Sequence, residues 1–227
     1  HGVMALENTI AGSIIPNYAL IDTNDLHIVG EEYLNIHHHL MALPGQQIAH
    51  IKEVWSHPMA LLQCKEFFKK HPHIKLVEDV DTAEVAKRIA KENLVGIAAI
   101  APKIAAEIFD LEVLEDEIQT MKDNATRFVI VQTQEPTHKI DHINKASLKF
   151  QLNHKRGSLA AILNVLSDCK MNLTKIQSLP VIEMPWKYSF FVDVTFEDYK
   201  DYLKVVKIIE IMAEEFKILG TYKNGRK

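Results

Sequence analysis

The sequence predicts an α/β protein: a first unit of alternating strands and helices, then a ferredoxin-like βαββαβ unit. Three observations carry this. Residues 1–131 alternate short apolar runs with stretches of helical period. Residues 132–146 are polar, contain Pro136 and show no period, as a linker does. Residues 147–227 switch between period 2 and period 3.6 in the order β-α-β-β-α-β. The chain has 227 residues, 47% of them apolar, enough for a sizeable core and for one or two domains.

In the first unit, Gly2–Leu6 is a short apolar strand, after which Asn8 or Thr9 is placed to cap a helix. Residues 26–43 read as strands punctuated by Gly30. Residues 53–55 are a short extended piece. Pro58 then suits the first turn of a helix, where its missing N–H costs nothing. That helix is expected to run to about Lys70, with Leu61, Leu62 and Phe68 on its apolar side. Residues 74–80 form a strand, and Asp81 with Glu84 three residues on begins a helix like a capping box. Residues 94–100 are continuously apolar, as in a strand covered on both faces. Pro102 opens another helix, and residues 126–132 close the unit as a strand.

In the second unit Leu148, Phe150 and Leu152 alternate as a half-buried strand, and Gly157 breaks the chain. Leu159, Ile162, Leu163 and Leu166 give a helical stripe. Residues 172–178 are a second strand. Tyr188, Phe190, Val192 and Val194 alternate in a third. Tyr202, Val205, Val206 and Ile209 mark a second helix, and residues 216–222 close the sheet. Phe191 falls out of register with its strand's other apolar residues, so both faces carry apolar content. An apolar second face predicts a homodimer through this domain.

Composition excludes several functions. Charged residues make up 25%, so wholesale disorder is excluded. No apolar run is long enough for a membrane helix. Net charge is −4, which leaves no electrostatic footprint for nucleic acid. The charge is unevenly spread: residues 1–131 hold 11 Lys+Arg against 19 Asp+Glu, a net −8, and the remainder is net +4. Two cysteines, Cys64 and Cys169, argue against a disulfide scaffold and for a reducing, cytoplasmic setting. The chain opens on His1, and Gly2–Leu6 reads as the interior of a fold, so an upstream segment is expected.

On their own chemistry, the candidate residues have ordinary readings. Thr126 is a β-branched residue starting a strand. Arg127 points to the opposite face, so it braces the structure beneath, and Phe128 returns to the face of Thr126. Ser56 precedes a helix start, where orphan N–H groups attract anions, and Gln63 lies two helical turns on. Thr82 occupies a capping position. His37-His38-His39 invites a metal, but alternate strand residues face apart and no third ligand is near, so no metal is expected. Cys64 is expected to be a buried thiol.

The motifs point further. Glu7-Asn8-Thr9, Ser56-His57-Pro58, Gln63-Cys64, Asp81-Thr82-Ala83 and Asn124-Ala125-Thr126-Arg127-Phe128, in this order, resemble those of prephenate dehydratase. Gly157-Ser158-Leu159, Asn172-Leu173-Thr174-Lys175-Ile176 and Trp186 through Phe191 resemble the ACT regulatory domain attached to that enzyme. The resemblance covers nearly the whole chain. The family's Gly-Pro-x-Gly-Thr-Phe-Ser loop has no counterpart here, and its Glu-Ser-Arg-Pro stretch reads Gln177-Ser178-Leu179-Pro180.

The resemblance implies a two-lobed catalytic unit like a periplasmic-binding protein, its first lobe truncated here, with the site between the lobes. It implies conversion of prephenate to phenylpyruvate, carbon dioxide and water, without metal or organic cofactor. Thr126, Glu7 and Asn8 are then the catalytic candidates. Ser56, Gln63, Thr82 and Arg127 are the substrate-binding candidates, and His57 is left as structural. Asn153, Gly157, Ser158, Leu159, Asn172, Leu173 and Thr174 correspond to the region that holds L-phenylalanine at a subunit interface of a homodimer or tetramer. The alternative is a catalytically incomplete protein that binds an amino acid and dimerises through the ACT domain. A solute-binding protein is a weaker third reading.

Overall fold

The computed structural model describes residues 1–135, 142–153, 155–181, 184 and 186–226. Part of the expected linker, including Pro136, lies outside the described residues. In chain order the elements are β1 (Gly2–Asn8), β2 (Gly12–Ser13), α1 (Ile15–Thr23), β3 (His27–Asn35), β4 (His39–Ala42), β5 (Glu53–Ser56), α2 (Pro58–Gln63), α3 (Lys65–Phe68), β6 (Lys75–Glu78), α4 (Thr82–Glu92), β7 (Ile97–Ala101), α5 (Lys103–Phe109), β8 (Glu112–Glu115) and β9 (Ala125–Gln132). There follow β10 (Lys145–Gln151), α6 (Ser158–Asp168), β11 (Asn172–Pro180), β12 (Tyr188–Thr195), α7 (Tyr199–Met212) and β13 (Glu215–Tyr222).

The chain forms two compact units. Unit 1 comprises residues 1–8, 12–34 and 126–227, and unit 2 comprises residues 9–11 and 35–125. Unit 1 contains two four-stranded sheets, ordered β2-β1-β9-β3 and β11-β12-β10-β13. In the second sheet β12 pairs antiparallel with β11 and β10, and β10 antiparallel with β13, and α6 and α7 pack on one face through Ile162, Leu166, Tyr202, Val205 and Ile209. This is the βαββαβ arrangement the periodicities predict.

The other face of that sheet is where one expectation fails. Phe191 is buried within this chain, in a cluster with Leu6, Tyr18, Ile21, Ile28, Val129 and Leu219. Its ring meets that of Tyr18 edge-on, with centroids 5.4 Å apart. The apolar second face is therefore covered by α1 and the strands of the first sheet, and it gives no ground for a dimer. Close approach of backbone makes this packing possible: a Cβ at Gly220 would collide with the carbonyl of Ile28.

Charges are buried in the same unit. Arg127 Nε donates to Glu31 Oε2 at 2.6 Å, its Nη1 donates to Asp193, and its Nη2 donates to the Tyr222 hydroxyl at 2.8 Å. Lys145 Nζ reaches both Glu31 oxygens at 2.9 Å, and Ser147 Oγ bonds Asp193. Two cations thus face two carboxylates, the pairing that burial demands. Burial works against the Arg127 charge, but Asp193, Tyr222 and Glu31 outweigh it and hold its pKa above the ordinary value. For Lys145 burial wins, helped by Arg127, and its pKa is lowered.

Unit 2 is built on a mixed sheet ordered β6-β5-β7-β4-β8. β5 runs parallel to β6 and β7, while β4 is antiparallel to β7 and β8. One face packs Leu40, Val54, Leu61, Cys64, Phe68 and Ile100; the other packs Met41, Val85, Ile89 and a set of alanines. Asp81 accepts from Glu84 N at 2.9 Å and caps α4, as its sequence predicts.

Several local expectations are corrected. Neither Asn8 nor Thr9 caps a helix: Asn8 ends β1, and α1 starts later behind Ile14, with Pro16 in its first turn. β3 runs straight through Gly30. The helix expected from Pro58 to Lys70 breaks at Cys64 into α2 and α3, and Leu62 is exposed. Strand β8 is short and carries no clear alternation that would mark it in the sequence.

Candidate functional site

Two side-chain clusters gather the motif residues, one in each unit. In unit 1, β1 and β9 pair antiparallel, so Asn8 sits opposite Thr126 and Glu7 opposite Arg127. A bulge between Ala5 and Glu7 sets this register, and bulges re-aim the side chains that follow them. Asn8 Nδ2 donates to Thr126 Oγ1 at 3.1 Å. With Asn8 donating to the oxygen, the Thr126 O–H is directed to another acceptor, and donation into a hydroxyl strengthens it as a donor. Glu7 Oε1 pairs with Lys175 Nζ at 2.7 Å.

Strand alternation puts Arg127 on the opposite face, as expected. Its side chain is 2% exposed, and all three of its nitrogens are spent on protein acceptors. The expectation that Arg127 also binds substrate is therefore corrected: it holds β9 from below.

In unit 2, Gln63 Oε1 accepts from Asn124 Nδ2 at 3.0 Å and bonds His38 Nε2 at 2.8 Å. Burial lowers the pKa of His38, and its bond to Gln63 opposes this. A neutral His38 carries its proton on Nε2, because the amide oxygen of Gln63 can only accept. Two donors on that oxygen fix the amide plane and leave the Gln63 NH2 without a hydrogen bond to another described residue. The backbone carbonyl of Gln63 accepts from Thr120 N at 2.9 Å, which steadies the residue further.

Ser56 does not join this cluster. It ends β5, is fully buried, and donates to the carbonyl of Ile100 at 2.8 Å. The expectation that it binds substrate from a helix start is corrected: its hydroxyl is used internally, and it is not on the helix with Gln63. The cap of α2 is His57, whose Nδ1 accepts from Met59 N at 3.2 Å. Thr82 is the first residue of α4, behind its cap Asp81. Cys64 is buried, and burial pushes its thiol up to about 12, which leaves it unreactive.

The histidine triplet does not lie on one strand: His37 and His38 fall between strands and His39 opens the next. β3 ends at Asn35 and β4 begins at His39. His39 Nδ1 bonds Asp116 Oδ1 at 2.9 Å, and the middle histidine, His38, supports Gln63. Sequence reasoning missed both His38 and Asn124. In the sequence Asn124 stands only as the first residue of the Thr126 motif, with no role assigned to it.

In the ferredoxin-like part of unit 1, Asn153, Ser158 and Leu159 line a cavity of about 150 Å³ with Trp186, Tyr188 and Phe190. Gly157 precedes α6 at φ 85°, a left-handed conformation that explains glycine there; no close backbone approach is involved. Asn172, Leu173 and Thr174 lie elsewhere. Asn172 pairs with Thr195, which pairs on its other side with Lys145 at the start of β10, whereas Gln151, which leads to the cavity, pairs with Ser189 at the far end of the strands. One chain does not bring the two groups together.

Fold and site together define an α/β protein with a hydrogen-bonded threonine–asparagine pair on adjoining strands and an appended ferredoxin-like sheet. Residues 1–136 match the prephenate dehydratase family. The chain belongs to that family. It is 35% identical to a prephenate dehydratase of Methanocaldococcus jannaschii, over 97% of this chain and 80% of that protein. It is 38% identical to arogenate dehydratase/prephenate dehydratase 2 of Arabidopsis thaliana, over 94% of this chain and 54% of the relative. The chain thus spans little more than half the length of several curated relatives it matches. Among solved structures, a prephenate dehydratase from Staphylococcus aureus superposes with TM-score 0.84 at 26% identity, over 98% of this chain and 82% of that one. GqqA, described as a quorum-quenching acylase, superposes with TM-score 0.87 at 26% identity, over 97% of this chain and 81% of that one.

Proposed function

We propose that the protein is a prephenate dehydratase, forming phenylpyruvate, carbon dioxide and water from prephenate. The observation that carries this is the Asn8–Thr126 hydrogen bond on paired strands, within motifs of a family the chain belongs to. In the reaction the ring carboxylate leaves as carbon dioxide. Its bonding electrons aromatise the ring and expel the ring hydroxyl, which takes up a proton and departs as water. An aliphatic hydroxyl is a weak acid, but it can donate a hydrogen bond where negative charge builds on the departing oxygen. Asn8 orients Thr126 for that donation, and Glu7 lies beside Asn8 in the chain. We assign Gln63 to a carboxylate of the substrate through its NH2, which makes no hydrogen bond to another described residue. Thr82, at the start of the eleven-residue helix α4, is retained as a further anion-binding candidate.

The two groups of phenylalanine candidates lie at opposite ends of one sheet. We infer that an effector site for L-phenylalanine is completed by a second copy of the ACT-like sheet, with Asn153, Gly157, Ser158 and Leu159 of one copy meeting Asn172, Leu173 and Thr174 of the other. That makes a homo-oligomer part of the proposal on grounds separate from Phe191. Incubation with prephenate, and in parallel with arogenate, tests the function: appearance of phenylpyruvate from prephenate is expected. Absence of that product from a folded full-length protein would favour the binding-only alternative.

A further inference from the structure

We propose that Lys175, from the ferredoxin-like sheet, is a positioning residue for the catalytic end of β1. This rests on the reading of Glu7, Asn8 and Thr126 as catalytic. The Lys175 ammonium lies 2.7 Å from Glu7 Oε1, across 168 residues of sequence. Its side chain is 15% exposed, and that of Glu7 is 30% exposed. The pair is thus partly shielded from solvent, unlike the fully exposed pairs that contribute little.

Both partners emerge from irregularities in their strands. The register of β1 on β9 shifts between Ala5 and Glu7, and the register of β11 on β12 shifts between Leu173 and Lys175. A bulge costs ladder hydrogen bonds and redirects the side chain after it. Here two bulges turn two opposite charges toward each other. Local bonds hold both: Asn17 Nδ2 donates to the Ala5 carbonyl at 2.7 Å, and Thr174 Oγ1 donates to the Asp193 carbonyl at 3.2 Å. Leu6, between Ala5 and Glu7, is buried in the cluster that also holds Phe191. The backbone at Glu7 therefore cannot shift without moving a core residue. Among the described residues, Lys175 is the cation paired with Glu7.

Asn8 follows Glu7 directly and donates to Thr126. Fixing the Glu7 carboxylate thus fixes the end of the strand that carries the Asn8 amide. β11 is an edge strand, hydrogen-bonded on one side to β12. The appended sheet consequently supplies a group to the catalytic strand, instead of acting on it only from a distance.

The test uses the full-length enzyme and prephenate turnover. Lys175→Met is expected to lower kcat by about tenfold to hundredfold with KM little changed, the signature of lost orientation. Its melting temperature should stay close to wild type, and Lys175→Arg should restore most of the rate. On a Glu7→Gln background the further loss from Lys175→Met should be less than about twofold, because the two residues act as one unit. A merely structural lysine would give independent, multiplying losses. Wild-type kcat in Lys175→Met, or full multiplication with Glu7→Gln, would overturn the assignment. If Lys175→Met did not fold, Lys175→Gln would carry the same comparison. If the wild-type protein formed no phenylpyruvate, the functional reading would fail by itself. Hydrogen exchange would then judge the ion pair: faster exchange at the amides of Asn8 and Thr126 in Lys175→Met supports it, and unchanged exchange refutes it.

Discussion

In unit 1 the two sheets enclose Arg127, Lys145, Glu31 and Asp193, whereas the helices and sheet of unit 2 enclose Leu40, Ile100, Val85 and a series of alanines. The candidate residues differ in the same way. The Asn8–Thr126 pair stands on a strand whose next residue, Arg127, is anchored in that ionic network. Gln63 is held by neutral donors, an imidazole and an amide. Unit 1 therefore places its hydroxyl by long-range ion pairing, and unit 2 places its amide by short neutral hydrogen bonds. The first is strong only while every charge keeps its partner. The second is less costly to perturb.

The largest effect should come from breaking the ionic side. Arg127→Leu strips partners from Glu31 and Asp193 at once, and an uncompensated buried charge costs about 3–5 kcal/mol. Urea unfolding is expected to show that loss in unit 1; a change within error would mean that the network is dispensable.

A smaller effect is expected from the neutral side. Gln63→Glu can still accept from His38 and Asn124, but it lacks the NH2 and adds a negative charge. KM for prephenate should rise, with a cost of about 1–3 kcal/mol in binding and little change in melting temperature. An unchanged KM would remove Gln63 from the substrate.

The smallest effect concerns pH. Burial lowers the pKa of His38 from the 6.5 of a free imidazole. The unfolded chain then binds its proton first as pH falls, so stability declines with falling pH below about 6.5 until the folded pKa is reached, and is unaffected above it. Urea midpoints between about pH 7.5 and pH 5 should slope less for His38→Asn than for wild type. Equal slopes would contradict the assignment.

Much of this contrast was not visible in the sequence. The βαββαβ unit was legible because its strands and helices differ in period: Leu148, Phe150 and Leu152 against Leu159, Ile162 and Leu166. The resemblance grouped Thr126 with Asn8 as candidates, but their pairing on adjoining strands came only from the structure. What failed were directions. Ser56 has the right type and place for a ligand contact, yet its hydroxyl points to the Ile100 carbonyl. Phe191 showed correctly that a second apolar face exists, but not that the same chain covers it. His38 was hidden as the middle of a triplet read for metal. The Lys175–Glu7 pair joins distant segments that no local pattern relates.

One comparison bears on the whole account: phenylpyruvate formation by Thr126→Val beside Thr126→Ser. Valine keeps the branched shape in β9 and removes the donor, so kcat should fall roughly 10²–10³-fold while the protein still folds; serine keeps the hydroxyl and should retain most of the rate. Wild-type turnover in the valine variant would show that the hydroxyl beside Asn8 does not assist departure of the ring oxygen.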